Sequence, residues 1–75
     1  MRFPRINMEK TAEKLTNLMK EKNISVKDIQ EAMGFENPQA IYKWKRGESL
    51  PSIDNLIILC SLFGVRLDDI LVVDN

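Results

Sequence analysis

Three side chains close together, Gln39, Lys43 and Arg46, carry groups suited to reading a polyanion through ordered hydrogen bonds. An amide pairs bidentately with adenine, an ammonium reaches guanine or phosphate, and a guanidinium forks onto either. Their spacing of four and then three residues places them on one side of a helix. With about 100° per residue and Ile41 at zero, they fall at roughly 160°, 200° and 140°, a stripe about 60° wide. Tyr42 lies at the edge of that stripe, and Ile41 and Trp44 lie on the other side. Two readings are open at this point: a nucleic-acid contact surface, or the ordinary solvated face of a surface helix. Trp44, at roughly 300°, is read as core rather than as a platform for stacking bases.

Other chemistries lack their parts. The 75 residues include no histidine and a single cysteine, so neither a disulfide nor a metal cluster of His and Cys ligands can be built. Cys60 falls among apolar positions and is read as a structural thiol rather than a redox sensor. Asp68 and Asp69 resemble paired acids, but adjacent helical residues diverge by about 100° and serve better as N-terminal charges on a helix dipole. With no phosphate-cradling glycine loop either, the expectation is a protein that is not an enzyme and takes no cofactor or metal.

The elements that must hold the stripe follow from periodicity. Hydrophobic residues at 44% and charged residues at 29% are globular usage, and the length allows one domain spanning 1–75. Asn7 caps a first helix with apolar positions at Met8, Ala12, Leu15, Leu18 and Met19, running to Lys22. Ser25 and Asp28 form a capping-box variant for a second, short helix stopped by Gly34. Asn37 as cap and Pro38 at the first helical position open a third helix to Arg46, closed by Gly47. Ser52 caps a fourth, to Phe63, ended by Gly64. Leu67 to Leu71 supplies a fifth, with Leu71-Val72-Val73 as a short strand or tail. The class is all-α, with a helix-turn-helix made by the second and third helices. The longest wholly apolar run, Leu56 to Cys60, is too short to span a membrane, and residues 1–6 lack a secretory apolar region. A cytoplasmic location without a membrane partner is expected.

Charge is unevenly distributed beneath a formal total of zero. Through Gly47 there are ten Lys/Arg against six Asp/Glu, and from Glu48 onward one against five. This either turns a basic half toward a polyanion or is an incidental distribution of surface residues.

The run Trp44-Lys45-Arg46-Gly47 followed by Leu50-Pro51-Ser52, then Ile53-Asp54-Asn55-Leu56, and finally Phe63-Gly64-Val65-Arg66-Leu67-Asp68-Asp69-Ile70-Leu71, resembles the lambda-repressor-like helix-turn-helix (XRE) family of bacterial and phage regulators. The resemblance covers residues 8–71. It implies a five-helix domain that inserts its third helix into the major groove of double-stranded DNA, usually as a symmetric dimer. On that basis Gln39 and Lys43 fall at base-contacting positions, joined by Tyr42 and Asn37, while Arg46, Lys45 and Lys27 are the candidates for phosphate. Two departures stand out. Val26 occupies a position where the family often has a phosphate-binding glutamine, leaving Lys27 to substitute. The stretch Phe35-Glu36-Asn37 also looks one residue longer than the usual turn, and Glu36 would repel a phosphate it faced.

On the fourth helix, with Leu56 at zero, Cys60, Ile53, Phe63 and Leu59 form the expected core face, at roughly 40°, 60°, 340° and 300°. Ile58 and Leu62, with Val72 and Val73, make a candidate dimer interface; the alternative is a helix buried on both sides. Two half-sites one helical turn apart combine their affinities, so a homodimer on a short palindromic operator is expected. Residues 1–6 form a basic arm for a minor groove or a frayed tail, and residues 72–75 a C-terminal tail. The leading reading is a small transcriptional regulator, a repressor because so short a chain has no room for an activating domain. The rival is an antitoxin or protein-interaction module that neutralises a protein partner and regulates its own operon.

Overall fold

The computed structural model describes residues 3–74. Its elements in chain order are β1 (Arg5–Ile6), α1 (Met8–Lys22), α2 (Val26–Met33), α3 (Gln39–Arg46), α4 (Ile53–Phe63), a single 3₁₀ turn (Leu67–Asp69) and β2 (Val73–Asp74). The all-α class holds, with four α-helices instead of the expected five. Three helix starts follow their caps. Asn7 Oδ1 accepts from Lys10 N–H at 2.8 Å, Ser25 and Asp28 bond reciprocally, and Ser52 Oγ accepts from Asn55 N–H at 3.3 Å. Each such bond satisfies a donor that the helix itself leaves open. The helix expected at Leu67 to Leu71 is reduced to one turn because Ile70 is drawn into the core and the chain then extends. Arg66 makes no side-chain cap bond, and the Asp69 carboxylate accepts from Arg66 N–H at 2.9 Å.

Leu15, Ile29, Ile41, Leu59 and Ile70 are fully buried, one from each helix and one from the residue that follows the 3₁₀ turn. Leu18, Met19, Trp44, Leu56 and Phe63 complete the cluster. α3 packs on α1 and α2, and α4 packs on α1 and α2, so α3 is clamped from behind. Met19 and Leu18 from α1 and Ile29 from α2 thus share one apolar centre with Ile41 and Trp44.

Residues 5–7 meet residues 72–74, which periodicity did not anticipate. β1 and β2 pair antiparallel, with Arg5 opposite Asp74 and Ile6 opposite Val73. Asn7 N–H donates to the Val72 carbonyl at 2.7 Å, and Val72 N–H donates to the hydroxyl of buried Thr11 at 3.0 Å. Asn7 Nδ2 also donates to Asp74 Oδ2 at 2.8 Å. Residues 5 and 6 of the expected arm are therefore tied to residues 73 and 74 of the expected tail. Met1, Arg2 and Asn75 lie outside the described residues. The short strand expected within Leu71-Val72-Val73 begins at Val73 and runs to Asp74; β1 was not expected, because a two-residue strand carries too little pattern and only its partner makes it one.

α4 requires a second correction. Ile53, expected on the core face, is 73% exposed, and Ile57 is 58% exposed. Ile58 and Leu62, expected to form an outward patch, are half-buried, and Leu62 packs against the core. The covered arc is rotated toward Leu59 and Leu62 because α1 and α2 approach from that side. Among the described residues no helix is long and apolar enough to cross a membrane.

Candidate nucleic-acid interface

The interface is built backward from the turn that precedes α3. Gly34 ends α2 at φ 73°, a left-handed conformation that costs a glycine little. Gly34 N–H and Phe35 N–H both return to the Gln30 carbonyl, and Gln30 Nε2 donates to the Phe35 carbonyl at 3.3 Å. The Phe35 ring then meets Trp44 edge to face, with centroids 5.9 Å apart, an arrangement favoured by the ring quadrupoles. The long turn is thereby pinned to the buried face of the helix it introduces. Asn37 accounts for its own side chain: Oδ1 accepts from Gln39 N–H at 3.2 Å. Pro38 precedes the helix instead of opening it, so α3 starts one residue later than expected.

At its far end α3 is stopped by Gly47 at φ 74°, whose N–H returns to the Lys43 and Trp44 carbonyls. A Cβ at this position would sit 3.2 Å from the Met8 carbonyl oxygen. The left-handed backbone, together with the close approach of the α3 terminus to the start of α1, thus favours glycine here. Held at both ends, α3 buries Ile41 and Trp44 and leaves Gln39, Tyr42, Lys43 and Arg46 exposed. This is the division the helical wheel requires.

The phosphate candidates are placed differently from one another. Lys27 is exposed in the first turn of α2. Lys45 is half-buried, with Nζ 5.9 Å from the centre of the Tyr42 ring. It lines an open groove of about 250 Å³ between α1 and α3, together with Glu9, Glu13 and Arg46. Arg46 is the one whose partner was not foreseen: its Nε donates to the carboxylate of Glu48. That hydrogen bond, opposed by desolvation and aided by the Arg46 and Lys43 charges, holds the Glu48 carboxyl below its ordinary range. It also raises the Arg46 guanidinium above its usual value. Glu48 was legible only as part of a turn. The available signal was an acid two residues after a cation, across a glycine that folds the chain back.

The remaining polar groups do not form a second site. Cys60 is half-buried against the core, and burial, with the nearby Asp69 charge, pushes its thiol up and keeps it protonated at neutral pH. Asp68 and Asp69 are both exposed. Among the described residues no group of three or more His, Cys, Asp or Glu side chains is placed to hold a metal ion.

A short helix supported from behind by two others, separated from the preceding helix by a pinned turn, and carrying an amide, a phenol and two cations outward, defines a helix-turn-helix domain. The helix-turn-helix family model matches residues 15–70, well over half of the chain. The chain belongs to this family, as a DNA-binding regulator of the XRE type. No curated protein and no solved structure gives a significant match.

Proposed function

We propose that this domain is a sequence-specific transcriptional repressor that reads a short palindromic operator as a homodimer. The observation that carries the reading is the outward stripe of α3: Gln39 and Lys43 exposed beside Tyr42 and Arg46, while Ile41 and Trp44 anchor the helix from the other side. In this reading Gln39, Lys43 and Tyr42 meet base edges in the major groove. Asn37 orients the start of the helix through Gln39 N–H and stands beside them; Lys27 and Lys45 meet phosphates, and Arg46 does so where it leaves Glu48. Occupying a duplex excludes other proteins from it, so groove binding is sufficient for repression. The same reading makes the protein a non-enzymatic one that works in the cytoplasm.

Pairing follows from affinity. A single short helix with a few polar contacts holds DNA weakly, and two half-sites about 34 Å apart multiply the effect. The side chains suited to a dimer contact are no longer Ile58 and Leu62. They are Ile53 and Ile57, together with the surface where Leu67, Leu71 and Val73 line an open groove of about 210 Å³. Val72 is half-buried beside it. The same exposed apolar side chains favour a second reading, docking of a protein partner, which co-expression with neighbouring reading frames tests.

Selection of bound sequences from a random DNA pool is the decisive experiment. A symmetric motif with two half-sites is expected, and recovery of no enriched sequence would overturn specific reading. Gln39→Ala is expected to cost about 1–3 kcal/mol on the selected operator and to relax preference at one base. Equal losses on operator and random duplex would remove Gln39 from the reading set. With about three to five phosphates neutralised per protomer, log K falls with log salt by about 0.9 for each.

A further inference from the structure

Glu9 and Glu13 line the groove beside Arg46, but the acid that hydrogen-bonds its guanidinium is Glu48. Its position is set by the backbone: with Gly47 in the left-handed region, Glu48 N–H donates to the Lys43 carbonyl at 3.0 Å. This turn folds residue 48 back over the last turn of α3, where its carboxylate receives Arg46 Nε–H. Both side chains remain about half exposed, at 56% and 51%. An ion pair in that setting adds little to folding stability. It does, however, occupy the cation at the edge of the stripe with an anion, at the place where a phosphate would have to approach.

We propose that Glu48 is an intramolecular competitor for Arg46, a positioning residue that keeps the guanidinium off the DNA backbone in any complex that does not displace it. The inference rests on the DNA-binding reading of α3. A phosphate arriving at this end of the helix must take Arg46 from the carboxylate and then tolerate a like charge within the Debye length of about 10 Å at 0.1 M salt. Lys43, whose carbonyl accepts from Glu48 N–H, lies within the same field. Glu48 therefore lowers the affinity that the stripe would otherwise have and sets the protein concentration at which a site fills.

The test is a titration of the full chain against a short fluorescent duplex of arbitrary sequence, read by anisotropy over a range of salt. Glu48→Gln keeps the shape of the side chain and removes its charge. It is expected to tighten binding by about three- to tenfold near 0.1 M salt and to steepen the salt slope by about 0.9, one newly neutralised phosphate. Introduced into an Arg46→Gln protein, Glu48→Gln is expected to give neither gain, because Glu48 acts through Arg46. Unchanged or weaker binding by Glu48→Gln overturns the proposal, as does a gain of the same size without Arg46, which would mark a general charge effect. Glu48→Ala serves as a second variant, and thermal melts matching wild type establish that all forms are folded. Wild-type binding with an inert Glu48→Gln overturns this proposal alone. Failure of the folded wild type to bind duplex at any salt overturns the DNA-binding reading and the proposal with it.

Discussion

α3 and α4 differ in how much a linear pattern can say about a helix. In α3 the two buried side chains, Ile41 and Trp44, stand opposite a polar stripe, and the contrast leaves one orientation available. In α4 apolar residues occupy nearly every direction, from Ile53 through Ile57, Ile58, Leu59 and Leu62, and the pattern alone does not choose which of them are covered. The structure covers Leu56, Leu59 and Phe63 and leaves Ile53 and Ile57 in water. A helix with strong polar contrast carries its orientation in its own sequence. A uniformly apolar one receives it from its neighbours.

The largest test of this contrast removes the anchor of α3. Trp44→Ala is expected to destabilise the domain by about 3–5 kcal/mol, because it empties the core position against which Phe35 packs. A thermal melt close to that of wild type would break the account of how α3 is held. Next comes a pair within α4. Leu59→Ala is expected to cost about 2–5 kcal/mol, whereas Ile53→Ala should stay within about 0.5 kcal/mol. Comparable losses at the two positions, measured by denaturant unfolding, would restore the orientation that the wheel favoured.

Smaller effects sharpen the comparison at helix ends. Gly47→Ala places a Cβ on the Met8 carbonyl in a left-handed conformation, and about 1 kcal/mol or more should be lost. Operator affinity should fall with it, as the end of α3 is pushed from α1. The smallest concerns α2, which, unlike α3, begins with a reciprocal side-chain cap. Backbone and side-chain hydrogen bonds from Ser25 hold the Asp28 carboxyl below its ordinary range. Its ionised form is therefore favoured in the folded state. That contribution is complete above the ordinary carboxylate range and disappears as pH falls through the lowered folded value. Asp28→Asn is expected to flatten the loss of stability below about pH 4. An acid-side profile identical to wild type would show that the cap carries no charge effect.

Legibility followed local chemistry. Asn7, Ser25 and Ser52 announce helix starts because their side chains bond donors three residues away, and Gly34, Gly47 and Gly64 announce stops because each turns left-handed at a helix end. The face of α3 was equally plain. The fifth helix was not, since the three- and four-residue spacing at Leu67 to Leu71 cannot distinguish one turn from two. Nor was the role of Glu48, because a carboxylate in a turn reveals its partner only when the turn has a shape.

Two kinds of information separate in this protein. Contacts within a few residues, the caps of α1, α2 and α4, the glycine stops and the two faces of α3, were determined by the sequence alone, because rigid helical geometry converts spacing directly into direction. The pairing of Arg5–Ile6 with Val73–Asp74, the arc of α4 that water reaches, and the Cβ-free approach of Gly47 to Met8 were decided by tertiary structure. Those features depend on which surfaces meet across long stretches of chain. No local period encodes that choice when several apolar arrangements would bury similar area.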